Sequence, residues 1–514
     1  MQTHRPTLLL VVLLTAATVS GCTTLAPAPP QPETTALPPA TTGVISDTAA
    51  EVGKGLTSGD SAYLLLTRND DALNWRLALT DHATTSIDAQ YFIWQSDATG
   101  NLLFDRLLKA ADRGVRVRLL VDDFWLAAND DVIAAIDHYP NFEIKIFNPA
   151  YTRHAVAGWL EFLAYFQQLN RRMHNKLFIV DSRMAIVGGR NIGDAYFGLS
   201  EKYNFQDLDV LTLGPVVEEI SSAFDQYWNA DLAYPGHLMS KIASPEDQEA
   251  LRVGAQAEID KHATRLAEYS LAPRAWSAEM AELPQRMHTG EGHFIQDEPL
   301  IIDGETLKLI DMLDTLAAPS HEELIVVSPY LIPVGGMLED IAELTGEGVD
   351  VKILTASMAS NNHTAAHSHY KKYRRRILGA GAELYEYRHD PSPPMRDKAD
   401  VPPAEAKFVS LHVKAMVGDR QRCFIGSLNL DPRALEINTE NGLYIESPGL
   451  AAELAAAFDT MMHPDNAWQV HFDEVQEMLY WESSAGTVDS QPARSFGQRI
   501  ADFFFRLLPI ESQL

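Results

Sequence analysis

Two stretches of this chain carry the same polar residues at the same spacing. Arg172-Met173-His174-Asn175-Lys176-Leu177-Phe178-Ile179-Val180-Asp181 leads into Gly188-Gly189-Arg190-Asn191. Leu411-His412-Val413-Lys414-Ala415-Met416-Val417-Gly418-Asp419 leads into Gly426-Ser427-Leu428-Asn429. The offsets 412 − 174, 414 − 176, 419 − 181 and 429 − 191 each equal 238. One His-x-Lys-x4-Asp is an accident any strand could hold; two copies followed alike by glycine and asparagine point to chemistry. A histidine can attack phosphorus to give a covalent phosphohistidine, splitting one hard displacement into two easier ones. The departing alcohol needs a proton, which a second histidine can supply. Lysines and amide donors can neutralise the non-bridging phosphoryl oxygens, work that other enzymes give to a metal ion. Each copy holds one histidine and one lysine, so a single site built from both has the full set, and no metal or other cofactor is expected.

The elements that must position these groups recur too. In an extended strand residues i and i+2 share a face, so His174 projects with Lys176 and His412 with Lys414. The apolar Leu177, Ile179, Met416 and Val417 place the same strands in a core. Upstream, Ser86-Ile87-Asp88-Ala89-Gln90-Tyr91-Phe92-Ile93 and Leu324-Ile325-Val326-Val327-Ser328-Pro329-Tyr330 read as strands. Each is followed by a helical stretch and then by a glycine and a second strand, Gly114 to Val121 and Gly348 to Thr355. That rhythm is α/β. Two homologous α/β halves, packed face to face about a pseudo-twofold axis, are therefore the expected architecture.

The chain's 514 residues allow two such halves, and its formal charge of −29 sets the surface. So acidic a surface repels polyanions and argues against a nucleic-acid partner. Two cysteines, Cys22 and Cys423, cannot make a disulfide framework; Cys423 reads as a buried free thiol. His4 and Arg5 precede the apolar run Leu8 to Leu14, too short to span a bilayer, and small residues lead to Val19-Ser20-Gly21-Cys22. This is the form of a cleaved export signal ending in an acylated cysteine. Beyond it, Thr23 to about Ala50 is rich in Pro, Ala and Thr and reads as an extended spacer. Ser240 to about Arg286 reads as a helical insertion. Lys371-Lys372-Tyr373-Arg374-Arg375-Arg376 could bind anionic headgroups or form a solvated helix face. The tail from Phe496 to Pro509, with Phe503-Phe504-Phe505, suits an amphipathic helix lying on a bilayer, or one covering its own domain.

The paired motifs identify the chain as a member of the phospholipase D superfamily, whose HKD motif it carries twice. Gly188-Gly189-Arg190-Asn191-Ile192-Gly193-Asp194-Ala195-Tyr196-Phe197, Phe205-Gln206-Asp207-Leu208-Asp209-Val210 and Gly426-Ser427-Leu428-Asn429-Leu430-Asp431-Pro432-Arg433 resemble the bacterial cardiolipin synthase C-type branch. The resemblance implies two phospholipase D-like halves, each a mixed β-sheet flanked by helices. It implies His174 as nucleophile and His412 as general acid and later base. Lys176, Lys414, Asn191 and Asn429 would grip the phosphoryl group. Asp207 and Glu440 would each orient a catalytic imidazole, while Asp181 and Asp419 complete the motifs as turn-tying residues. It further implies phosphatidyl transfer between phospholipids, with hydrolysis to phosphatidate as the alternative. The expected order is a lipoprotein signal peptide (1–21), Pro/Ala/Thr-rich linker (22–55), first half (56–235), helical insertion (236–300), second half (301–482) and amphipathic tail (483–514). A monomer anchored through Cys22 in a bacterial envelope, facing the periplasm and acting on phospholipid membranes, is expected. The choice of membrane and any helper protein stay open.

Overall fold

The computed structural model describes residues 28–126, 130–150, 169–240, 245–299 and 319–514, together with Leu25 and Leu309. Cys22 and the signal segment lie outside the described residues. Among the described residues no helix is long and apolar enough to cross a membrane.

The first half contributes β1 Ser61–Leu66, β2 Ser86–Trp94, β3 Arg116–Leu126, β4 Phe142–Phe147, β5 Leu177–Val180, β6 Met184–Gly188, β7 Asn204–Gln206, β8 Asp209–Leu213 and β9 Ala233–Pro235. A bridging strand, β10 His288–Gln296, follows. The second half contributes β11 Glu323–Val327, β12 Asp350–Ala356, β13 Glu383–Tyr387, β14 Val409–Leu411, β15 Ala415–Gly418, β16 Arg422–Gly426, β17 Asn441–Glu446, β18 Ala467–Asp473, β19 Met478–Ser483 and β20 Gly486–Val488.

Strand pairing shows the duplication directly. The first half runs β9-β4-β3-β2-β5-β6-β8 and the second β18-β13-β12-β11-β15-β16-β17. In each, three parallel strands pair through the first of them with an antiparallel hairpin that carries the motif. The parallel strands read as unbroken apolar runs because they are covered on both faces. The repeated glycine before the second strand is the left-handed residue just past the preceding helix: Gly114 has φ 90° after Ala98–Asp112, and Gly348 has φ 96° after Met337–Gly346.

Three cores result. One covers the outer face of the first sheet around Leu77, Leu103 and Val117, and one the outer face of the second around Leu324, Ile353 and Leu384. The third lies between the halves, joining Leu177, Ile179 and Val210 to Ile325, Val417 and Ile445. The helices Val216–Trp228 and Pro448–Met462, one from each half, close over it.

Two segments depart from expectation. The 22–55 linker is not a free spacer over its second part. Thr34 N–H donates to Asn229 Oδ1 at 3.1 Å and Ala36 N–H to Asp225 Oδ2 at 2.7 Å. Ala40 N–H donates to Asp181 O at 3.0 Å, and Arg183 returns a bond to Ala40 O at 2.7 Å. A helix, Val44–Gly53, follows. A proline-rich extended chain leaves its own N–H and C=O groups unpaired, and the first half supplies the partners. The 236–300 segment does hold helices, Pro245–Lys261 and Ser277–Arg286, but it ends in β10. That strand pairs with β1 through Gly290, Thr289 and His288 and with β17 through Glu291 to Gln296, joining both halves into one 18-stranded sheet. Its sequence, His288-Thr289-Gly290-Glu291-Gly292-His293, lacks apolar alternation, so no period betrays it. Its glycines allow close approach: a Cβ at Gly290 would stand 2.2 Å from Glu446 O and one at Gly292 2.0 Å from Tyr63 Oη.

Candidate active site

Each His-x-Lys lies in the extended segment immediately before the motif hairpin, and each is held by the other half. His174 N–H donates to Thr439 O at 2.9 Å, and Met173 and Thr439 form a parallel bridge. His412 N–H donates to Gln206 O at 2.8 Å, and just before it β14 pairs in parallel with β7. These crossings set the site. His174 Nδ1 is 2.8 Å from Glu440 Oε2 of the second half, and His412 Nδ1 is 2.6 Å from Asp207 Oδ2 of the first. Each half therefore orients the other half's histidine. A carboxylate on Nδ1 fixes the tautomer that leaves Nε2 for chemistry.

Both carboxyl groups are sealed, Glu440 at 0% and Asp207 at 1% exposure, while His174 and His412 keep 8% and 5%. Lys176 Nζ donates to the carbonyl of His174, and Lys414 Nζ to that of His412 at 2.6 Å. Phe92 packs edge-on to His174 at 5.1 Å, whereas Phe205 and Tyr196 flank His412 at 4.5 and 5.4 Å.

Burial depresses both imidazoles, and the two lysines add to it, so both histidines rest neutral. Lys414 acts on His174 and Lys176 on His412, which places both copies around one cavity. Burial also pulls Lys176 down to about 7 and Lys414 to about 8. The acids differ. Burial pushes Glu440 up to about 8, although Lys176 and the Ser427 hydroxyl that donates to it work the other way; its Oε1 has no partner. Burial would raise Asp207 as well, but His412, Lys414 and Arg190 outweigh it and hold it below its ordinary value.

The motif aspartates sit away from this cavity. Asp181 accepts from the N–H groups of Thr84, Thr85 and Ser86 at 2.7–3.1 Å and from both threonine hydroxyls. Asp419 accepts from His321, Glu322 and Glu323 N–H at 2.8–3.1 Å. Both occupy left-handed positions in their hairpin turns, φ 55° and 51°, and tie each hairpin to the start of the first parallel strand. The asparagines diverge: Asn191 accepts from Ile93 N–H at 3.0 Å and donates to Tyr196 Oη at 3.1 Å, whereas Asn429 Oδ1 is buried with no partner. Gly189 leaves room for the orienting acid, since a Cβ there would be 2.3 Å from Asp207 Oδ1.

Residue reading alone passed over several groups. Arg433, half-enclosed beside His174, donates to Asn170 O and Oδ1 at 2.9 Å. Asp431, buried and pushed up to about 6, caps the short helix Pro432–Glu436. Ser427 and the aromatics Phe92, Tyr196 and Phe205 line the histidines. Asp431 and Arg433 stand two and four residues beyond Asn429, close enough to the motif to have been weighed with it.

A family profile described as "Cardiolipin synthase, PLD-like domain" matches twice, over residues 77–228 and 312–462. The chain belongs to the phospholipase D-like family. It is an enzyme of that family, in two phospholipase D-like halves. Cardiolipin synthase C of Escherichia coli is 34% identical over 471 residues, covering 88% of this chain and 96% of that one. The major cardiolipin synthase of Bacillus subtilis is 23% identical, covering 78% and 68%. Among solved structures, phosphatidylserine synthase of Haemophilus influenzae aligns with a TM-score of 0.54 at 15% identity, covering 82% of this chain and 92% of that one; it shares the fold.

Proposed function

We propose that the protein is a phospholipid phosphatidyltransferase that works through a phosphohistidine on His174 and transfers the phosphatidyl group to a glycerol hydroxyl of phosphatidylglycerol. The observation that carries the mechanism is the crossed pairing of His174 with Glu440 and His412 with Asp207. The similarity to cardiolipin synthase C along nearly the whole chain supports the substrate.

In the first step His174 Nε2 attacks phosphorus, the bond from phosphorus to the headgroup oxygen breaks, and His412, which takes up a proton as the phosphodiester anion enters, gives that oxygen its proton. In the second, His412 takes the proton from the incoming glycerol hydroxyl, whose oxygen attacks phosphorus as the P–N bond breaks. The unequal acids support this division. The ionised Asp207 favours a histidine that must be an imidazolium before the first step and again after the second, and the protonated Glu440 favours one that stays neutral until it attacks. The phosphodiester anion, on entering, restores the protons that Lys176 and Lys414 surrender to burial, and both lysines then oppose the charge on the phosphoryl oxygens. Asn191 already spends an amide N–H on Tyr196 Oη, so Asn429 is the better placed of the two to join them.

Attachment through acylated Cys22 completes the reading. Leu25, three residues beyond that cysteine, is already buried in the core of the first half, so the anchor holds the body close. The bilayer is thus always near.

Purified protein given labelled phosphatidylglycerol, with and without phosphatidylethanolamine, should form cardiolipin on thin-layer analysis. Phosphatidate as the sole product, with a second phospholipid present, would identify a hydrolase instead.

A further inference from the structure

An amphipathic helix on a folded body ordinarily turns its apolar stripe inward. The last helix, Phe496–Arg506, does the reverse. Its one buried residue is Asp502, which Lys371 meets. Gln498 donates to Met358 O at 2.5 Å. Phe503 and Phe504 are 58% and 62% exposed, and Phe496, Ile500, Leu507 and Leu508 are exposed with them. The polar face holds the helix down and leaves a ridge of aromatic and aliphatic side chains outside.

Beside the ridge lies a groove of about 400 Å³ whose walls hold five basic side chains, Lys371, Lys372, Arg374, Arg375 and Arg506, and two acidic ones, Glu477 and Asp489. Two of these are matched by acids other than Asp502, Lys372 by Glu511 and Arg374 by Glu386. Arg375 lies over Phe472 at 4.6 Å and donates to the backbone carbonyl of Glu477. Arg506 is exposed at the end of the ridge. On a chain of net charge −29, five basic against two acidic side chains in one groove is a local excess of cations.

Both ends of the segment touch the walls of the active site. Arg494 lies over Phe408 at 3.3 Å; Phe408 packs on Tyr203, Tyr203 on Phe205, and Phe205 on His412. At the other end Leu514 O accepts from the N–H of Arg433, beside His174.

We propose that this face lies on an anionic phospholipid bilayer, with Phe503, Phe504 and Leu507 in the interfacial layer and headgroup phosphates over the cationic groove. Aromatics flanked by arginines are the composition that settles at such an interface, and cations outside it draw anionic lipid. Since the segment is braced against both catalytic histidines' surroundings, docking there sets the cleft beside the lipids it acts on. This rests on the phospholipid reading of the site and adds the surface that meets the substrate's own phase.

The test uses the full chain carrying Cys22→Ser, so that no acyl anchor masks the helix. It is sedimented with phosphatidylcholine vesicles containing or lacking phosphatidylglycerol. The protein should bind the phosphatidylglycerol vesicles. Phe503→Ser with Phe504→Ser should weaken that binding roughly tenfold or more, and Arg375→Glu with Arg506→Glu should remove the preference for phosphatidylglycerol. Turnover of detergent-dispersed phospholipid should not change in either variant. Vesicle binding that survives both pairs of substitutions overturns the proposal. So does a wild-type dimer that the phenylalanine substitutions dissociate, which assigns the ridge to a second copy. Turnover in detergent is read separately, so an inactive wild type there counts against phosphatidyl transfer and not against docking.

Discussion

The two half-sites share a backbone and differ in charge. Around His174 the orienting acid is sealed, has one oxygen unpartnered and is pushed up to about 8. Around His412 the acid is held below its ordinary value by the histidine, Lys414 and Arg190. The packing differs as well: one aromatic edge meets His174, and two rings enclose His412. Duplication supplies two equivalent positions, and a few side chains outside the motif make them unequal. Two identical histidines cannot serve as nucleophile and acid by identity alone; their surroundings decide.

The largest effect tests the division of labour. His174→Ala and His412→Ala should each lower turnover by about 10⁴-fold or more, and chelators should leave the wild type active. His412→Asn should accumulate an acid-labile, base-stable phosphatidyl label on His174, and His174→Asn should accumulate none. A label on His412 would exchange the two roles.

Next come the orienting acids. Asp207→Asn removes a charge that stabilises the imidazolium and should lower kcat about 10²- to 10⁴-fold. Glu440→Gln replaces a carboxyl group that is already neutral near pH 7 and should cost about tenfold or less. Equal losses in steady-state kinetics would erase the comparison drawn above.

The lysines give a smaller, pH-dependent effect. Their charged forms grip the phosphate, and burial lowers both to about 7 and about 8, so charge is lost as pH rises through that window. The profile of kcat/KM, which reports the free enzyme, should therefore fall above about pH 7 to 8. Lys176→Arg, which cannot lose its proton there, should move that limb upward. An unmoved limb assigns it to another group.

How much of this was legible in the sequence follows the range of each signal. The orienting acids came from the resemblance to the family, while the motifs and the repeated strand–helix–strand units lie in local spacing and were readable. Which acid serves which histidine was not, because it depends on how the halves cross: Glu440 is 266 residues from His174. The docked stretch from Thr34 to Ala40 was hidden because its bonds run through backbone groups, which any sequence has. Strand β10 was hidden for the same reason. The direction of the final helix was unreadable because an apolar stripe shows that a face exists and not what it meets.

The smallest effect on chemistry belongs to the motif aspartates. Asp181→Ala removes a buried carboxylate, leaves its N–H and hydroxyl donors without an acceptor, and should cost about 2–3 kcal/mol in urea unfolding. Asp419→Ala, with three backbone donors at a more open turn, should cost about 1 kcal/mol. The folded fraction of each should keep near-normal kcat. A specific loss of kcat without loss of stability would give these residues a part in catalysis instead.

Strand β10 makes the halves mechanically one piece. With its two ends hydrogen-bonded to β1 and β17, it ties the sheet of one half to the sheet of the other through backbone pairing. Without β10, β1 and β17 would be unpaired six-residue edges, where the intact sheet ends on the three-residue strands β9 and β20. One short strand of polar sequence thus guards the whole molecule against pairing edge to edge with another chain.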